Sequence, residues 1–282
     1  MERNFGNLPD AFTRYAGARI AVLPIAFEAS STWLRGSGKG PGAIIEASAN
    51  MELYDIETRT EVYRKGIHTC EPVAGADAPE MLRLSSGRVA GLLEDGKFVV
   101  ALGGEHTVSL GPMLAHHERH PEMSVLHLDA HGDSRDTYQG DRYSHACVMA
   151  RAREAVGNVV SVGVRSMDSS ELAALDESRV FYARDIQRGG RWVEDVLLRL
   201  SPEVYVTIDL DVFDPGIMPS TGTPEPGGLG WYQVLGLLRA VAERKTLLGF
   251  DVVELCPGAN KAPDFLAAKL IYALLSYRFK GE

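Results

Sequence analysis

A three-layer α/β/α fold on a mostly parallel sheet of about eight strands is predicted by three observations. Strand-like and helix-like stretches alternate along the whole chain, the pattern of a parallel sheet covered by helices on both faces. The clearest strand candidates, such as Phe98–Leu102 and Val204–Ile208, are near-continuous apolar runs, as befits strands buried on both sides. No repeat, low-complexity tract or long linker interrupts the alternation, so residues 1–282 are expected to form one domain.

The first strand is expected over 18–23, followed by a Gly-rich loop. Gly36-Ser37-Gly38-Lys39-Gly40 imitates a phosphate-binding loop. However, Trp33 stands where the first glycine is needed and Gly40 where the Mg²⁺-touching Ser or Thr is needed. The string reads instead as the entry to a helix over 41–53, with Pro41 suited to a first helical position. Trp33 is a candidate either for lining a substrate mouth or for simple packing. A strand over 66–70, a helix over 79–94, a strand over 97–102 and a helix over 108–119 follow. His116, His117 and His120 fall late in that last helix, where its dipole suits them, and read as a solvated helix end.

The strand over 123–128 carries His127, which shares strand parity with Asp129 and reads as a buried histidine supporting it. Helices over 145–156, 169–177 and 190–200 are interleaved with strands over 158–164, 179–182 and 203–208. Residues 212–230 hold too much glycine and proline for a regular element, and they follow Asp209 and Asp211 directly. This loop is expected to form a wall of the site. A helix over 231–244, a strand over 247–252 and a helix over 264–279 complete the chain.

With 45% hydrophobic and 24% charged residues, the composition is that of an ordinary globular protein. No apolar run approaches the roughly 20 residues needed to span a bilayer. The polar start Met1-Glu2-Arg3-Asn4 lacks an apolar signal core. Cys70, Cys147 and Cys256 are few and widely spaced, which suits a reducing compartment, so a cytoplasmic location is expected. The net charge of −9 and the lack of a Lys/Arg cluster argue against nucleic acid as a partner.

The chemistry concentrates at three strand ends, in His106, in Asp129, His131 and Asp133, and in Asp209 and Asp211. Four carboxylates and two imidazoles without a thiolate exceed what one divalent cation uses and suit two that share bridging carboxylates. Residues two apart on an extended strand point the same way, so each set can aim at one point. Ligands of open α/β sheets bind beyond the carboxyl ends of the strands. One such segment alone would read as a solvated turn; three with matched donors read as a metal site. An oxygen-rich donor set favours Mn²⁺ and leaves Zn²⁺, Co²⁺ and Ni²⁺ open.

The chain resembles the arginase–agmatinase (ureohydrolase) family. The matching pieces are Gly40-Pro41-Gly42-Ala43-Ile44, Gly103-Gly104-Glu105-His106, Asp129-Ala130-His131-Gly132-Asp133, the run from Asp209 to Pro215, Thr221 to Leu229, and Asp251-Val252-Val253-Glu254. They cover nearly the whole chain in the family's order. The resemblance implies the arginase-like fold, a binuclear manganese site and hydrolysis of a guanidino group to urea and an amine. By position, Asp129 and Asp209 would bridge two Mn²⁺ ions, with His106 and Asp133 completing one site and His131 and Asp211 the other. Glu254 matches the carboxylate that holds the guanidinium, and His145 the mobile proton-shuttling histidine. Homotrimers or homohexamers are usual in the family.

The reaction needs such equipment. A guanidinium carbon is a poor electrophile and water a poor nucleophile, and two metals can make hydroxide available near pH 7. Glu254 would orient the substrate by charge-assisted hydrogen bonds, Asp133 would pass a proton to the leaving nitrogen, and His145 would exchange protons with solvent. For the substrate, Asp133-Ser134-Arg135-Asp136-Thr137-Tyr138 lacks the Asn that arginases carry there, and Thr223-Pro224-Glu225-Pro226-Gly227-Gly228 is similar to agmatinases. Agmatine, giving putrescine, is therefore the expected substrate, with Asp136 and Glu225 as candidates for its ammonium end. Arg135 is a counter-signal favouring a carboxylated tail such as guanidinobutyrate, unless it pairs with Asp136 or Asp141. Arginine or a formimino amino acid are sister alternatives. A one-zinc deacetylase of related fold and a non-catalytic metal-bound scaffold are more remote. Cys147 and Cys256 stand near His145 and Glu254 in sequence and read as small buried residues.

Overall fold

Strands β1 (Ile20–Ile25), β2 (Ile67–Thr69), β3 (Phe98–Gly103), β4 (Ser124–Leu128), β5 (Val159–Val164), β6 (Val180–Tyr182), β7 (Glu203–Asp209) and β8 (Thr246–Val253) form a single sheet in the computed structural model. The structure describes residues 4–282, so Met1, Glu2 and Arg3 of the polar start lie outside the described residues. The strand order is β2-β1-β3-β8-β7-β4-β5-β6, and every pairing in the sheet is parallel. The sheet is thus wholly rather than mostly parallel.

The helices are α1 (Gly40–Ser48), α2 (Ala78–Glu94), α3 (Leu110–Arg119), α4 (Val148–Val156), α5 (Ala183–Gln187), α6 (Trp192–Arg199), α7 (Trp231–Arg244) and α8 (Ala262–Arg278). Side chains alternate across the strands: Phe98, Val100 and Leu102 of β3 join a core with α1, α6, α7 and α8, whereas Val99 and Ala101 join one with α2, α3 and α4. The central strands therefore have an apolar layer on both sides, which is why a sequence such as that of β3 reads as an unbroken apolar run. Among the described residues, no helix is long and apolar enough to cross a membrane.

Two local expectations are corrected. Residues 169–177 do not form an α-helix: a 3₁₀ turn over Ser169–Ala174 is opened by a capping box between Asp168 and Glu171, and Leu175 is already extended. A second 3₁₀ turn spans Glu177–Arg179, and the short α5 has only five residues, too few to show a helical period. His116 is not on a solvated helix end. It is buried, with its Nδ1 2.8 Å from the Pro112 carbonyl oxygen and its ring 4.8 Å from that of Tyr205. His120 instead pairs with Glu203 at 2.9 Å.

The central strands β3, β8, β7 and β4 are neighbours in that order. Their carboxyl ends run into His106, Glu254, the Asp209–Asp211 segment and the Asp129–Asp133 segment. Residues more than a hundred positions apart are brought together by this strand order.

Candidate metal centre and its cavity

The convergence depends on turns rather than on strand parity. Beyond β3, a Cβ at Gly104 would lie 2.0 Å from the Phe27 carbonyl oxygen, so only glycine lets the chain pass and open the 3₁₀ turn at His106. Beyond β4 the chain leaves the sheet at Asp129 and reaches Asp133 in the left-handed region, at φ 46°. Gly163, at φ +100° in the β5 irregularity, admits Val212 and the Asp129 carbonyl; a Cβ there would meet them at 2.7 and 3.0 Å. Asp209 ends β7 and caps the turn Leu210–Val212, its Oδ1 accepting from the Asp211 N–H at 2.8 Å.

The donors form two lobes. His106 Nδ1 lies 3.0 Å from Asp129 Oδ2, 3.0 Å from Asp133 Oδ2 and 3.4 Å from Asp209 Oδ2. His131 Nδ1 lies 2.9 Å from Asp211 Oδ2 and 3.5 Å from Asp129 Oδ1. Asp129 thus offers one oxygen to each lobe. His106 Nδ1 is a buried nitrogen without a hydrogen-bond partner, set among carboxylates. Both nitrogens of the buried His127 are engaged, Nδ1 with Ser161 Oγ at 3.0 Å and Nε2 with Asp129 Oδ2 at 2.8 Å, so His127 braces Asp129.

The electrostatics suit cations. Burial opposes charge on His131, yet Asp211 and Asp129 beside it push its imidazole up to about 12. Burial likewise opposes charge on His106, and its contacts with Asp129 and Asp133 raise it well above its ordinary value. Burial, then the charges of Asp211 and Asp129, hold the Asp209 carboxyl well above the usual range. Burial and Asp129 also raise Asp211. Carboxylates this crowded gain from any positive charge among them. An oxygen-and-imidazole set of this kind fits hard divalent cations: His106, Asp129 and Asp133 could hold one, and Asp129, His131 and Asp211 another.

A cavity of about 300 Å³ opens above the cluster. Its floor includes His131, Asp133, Asp209, Asp211 and Glu254. Glu254 also lies in the left-handed region, at φ 66°, and burial raises its carboxyl well above the ordinary range. Its Oε1 accepts from the His106 N–H at 2.7 Å, which anchors one oxygen and leaves Oε2 for a ligand. His145 stands in the wall, and Trp33, 69% exposed, lines the mouth.

The tail residues divide. Asp136 is exposed, bonded to Arg151 at 2.7 Å and absent from the cavity wall, so the structure does not bring it to the site. Glu225 Oε1 lies 3.9 Å from His131 Nε2, beside the cluster. Arg135 lines the cavity but pairs with neither Asp136 nor Asp141. Its guanidinium lies over Tyr138 at 4.8 Å and faces Asp168 at 3.5 Å and Glu171 at 3.9 Å. Burial pushes the Cys147 thiol up to about 11 and that of Cys256 up to about 12, so neither is a thiolate near neutral pH.

The loop over 212–230 does wall the cavity, through Gly222 and Thr223. Arg165 fastens it: its Nη2 donates to the Asp211 carbonyl at 2.6 Å and the Glu225 carbonyl at 2.9 Å. Asp214 accepts from the N–H groups of Gly216, Gly227 and Gly228. Sequence reasoning gave no role to Arg165, Asp168, Glu171, Thr207 or Ser30, all of which the structure brings to the site or its support. Thr207 alone carried a signal, standing two residues before Asp209 on the same strand.

An Arginase family model matches residues 18–276. The N(1)-aminopropylagmatine ureohydrolase of Synechocystis sp. is 38% identical over 280 residues, spanning 95% of this chain and 92% of that protein. The agmatinase of Pyrococcus horikoshii is 32% identical over 265 residues, spanning 92% and 91%. The crystal structure of the agmatine ureohydrolase of Thermoplasma volcanium superposes with a TM-score of 0.90 at 30% identity, covering 99% of this chain and 95% of that one.

Proposed function

This chain belongs to the arginase family, and we propose that it hydrolyses the guanidino group of a linear, cationic guanidino-amine to urea and an amine. The observation that carries this is the Glu254 carboxyl: one oxygen is fixed by the His106 N–H and the residue lines a cavity whose floor is the two-lobed cluster. Agmatine, yielding putrescine, is the first reading. An aminopropyl-extended agmatine is the second, favoured by the relatives at 38% and 40% identity that carry that name.

His106, Asp133, Asp129 and Asp209 would hold one cation, and His131 and Asp211, with the same Asp129 and Asp209, the other; the oxygen-rich set favours Mn²⁺ at both. Cations held there would supply hydroxide near neutral pH as the nucleophile. The protein side chains do the rest. Glu254 accepts guanidinium N–H groups and sets the carbon over the cluster. Asp133 takes the proton of the attacking water and gives it to the leaving nitrogen as the C–N bond breaks, which releases a neutral amine. His145 returns the protonation state to rest by exchange with solvent. Beyond the cluster, Asp168 and Glu171 outnumber Arg135 in formal charge, which suits a cationic tail. The family resemblance extends the proposal to a cytoplasmic homotrimer or homohexamer, with residues 1–282 as one unit.

The test is urea release by Mn²⁺-loaded protein from agmatine, N(1)-aminopropylagmatine, guanidinobutyrate and arginine in parallel. Preference for either of the first two is expected. Preference for a carboxylated substrate would overturn the tail assignment and bring Arg135 forward as its partner.

A further inference from the structure

We propose that Glu105, Ser30 and His145 form a relay that fixes which ring nitrogen of His145 is available for proton exchange. The proposal rests on the reading of His145 as the proton-exchanging group. Glu105 is fully buried, and its carboxylate collects donors from the loop that follows β1. Its Oε2 accepts from the Ala29 N–H at 2.8 Å and the Ser30 N–H at 2.6 Å, and its Oε1 lies 3.0 Å from Ser30 Oγ. Ser30 Oγ also accepts from the His145 backbone N–H at 2.9 Å and lies 2.9 Å from His145 Nδ1.

A hydroxyl has one hydrogen to give. A buried carboxylate is the stronger acceptor, because a hydrogen bond to an ionised group is about twice as strong as a neutral one. Ser30 therefore donates to Glu105 and has only lone pairs left for His145. Its neighbour Nδ1 must then carry the ring hydrogen, which leaves Nε2 bare. Ser144 Oγ, at 3.5 Å from Nδ1, is too distant to compete. When Nε2 takes a proton, the order Nδ1–H to Ser30 Oγ and Ser30 O–H to Glu105 is unchanged. A buried negative charge then stands one hydroxyl behind the imidazolium. No bond is rearranged between the two protonation states, so Ser30 and Glu105 are positioning residues for a wall histidine on a different segment.

The test uses the full-length chain. Ring ¹⁵N shifts of His145, recorded at alkaline pH in protein free of paramagnetic metal, should show hydrogen on Nδ1 and none on Nε2. Ser30→Ala should give a mixture of the two tautomers. In the Mn²⁺-loaded enzyme the same change should lower kcat about tenfold, the worth of one hydrogen bond to a charged group, with KM for agmatine within about twofold. Ser30→Thr should restore both readouts. Glu105→Gln, which keeps the shape and removes the charge, should also lose the single tautomer, and serves if Ser30→Ala does not fold. His145→Asn separates the two layers of the argument. If it leaves kcat intact, the assigned role of His145 falls. If it cuts kcat while Ser30→Ala leaves tautomer and kcat unchanged, the relay is overturned and the role of His145 stands.

Discussion

His106 sets its Nε2 3.0 Å from Thr207 Oγ1 on β7. Thr207 in turn donates to Asp251 Oδ1 at 2.7 Å, and Asp251 also accepts from Ser109 Oγ and Tyr205 OH, each at 2.8 Å. With its hydrogen given to Asp251, Thr207 can only accept from His106. A ring hydrogen is therefore on Nε2, and Nδ1 is the nitrogen that faces the three aspartates. Supports of this kind orient a metal-binding imidazole and raise its basicity.

Thr207→Val keeps the volume and removes the hydroxyl. It should weaken divalent-cation binding by about 10- to 100-fold with little change in far-UV circular dichroism. Competition against a chelator of known affinity measures this, and unchanged affinity would show that His106 needs no such support.

Asp129 serves both imidazoles, one oxygen each. Asp129→Asn should therefore weaken both metal sites and abolish turnover, and Asp209→Asn should do the same if it bridges. Metal content per chain, read by elemental analysis after dialysis, should fall below two equivalents for each variant. Full activity in either would refute its bridging role.

Glu254→Gln should leave metal content at the wild-type level and reduce kcat/KM by about 10²-fold or more, since a charge-assisted contact worth about 3 kcal/mol is lost. Steady-state urea release gives the ratio. A specificity constant equal to wild type would remove Glu254 from substrate binding.

His116 makes an acid-sensitivity prediction remote from the centre. Burial lowers its imidazole from 6.5 to about 4. The unfolded chain therefore binds a proton between those values that the folded chain refuses. Its neutral burial is without a proton penalty above pH 6.5, and stability falls as pH drops toward about 4. The full difference is about 3 kcal/mol. His116→Gln should flatten this part of the profile, so urea denaturation of both proteins at pH 7 and pH 4.5 should give a smaller drop for the variant. Equal drops would show that other groups govern the acid limb.

The architecture was legible because both faces of each central strand are apolar; Phe98–Gly103 and Glu203–Asp209 were placed within one residue. The six metal-type donors were legible by residue type, although the spacing argument used to join them was incomplete. Asp133 reaches the cluster through a left-handed backbone, and Asp211 through a capped turn. Neither is visible in an i, i+2 pattern. The tail was least legible, because adjacency misleads for charges: Arg135 turns from its neighbour Asp136 to Asp168 and Glu171, which arrive from beyond β5. The Asp168–Glu171 capping box likewise hid inside what read as a helix.

Arg165 grips its loop by main-chain oxygens, those of Asp211 at its entrance and of Val212, Phe213 and Glu225 within it. Every amino acid carries that oxygen, so the clamp is indifferent to which side chains the loop bears. Mutational drift along the loop can then alter what the wall offers a substrate while its placement over the metals is inherited unchanged. A scaffold clamped in this way can explore new guanidino compounds one side chain at a time, without first reinventing the pocket.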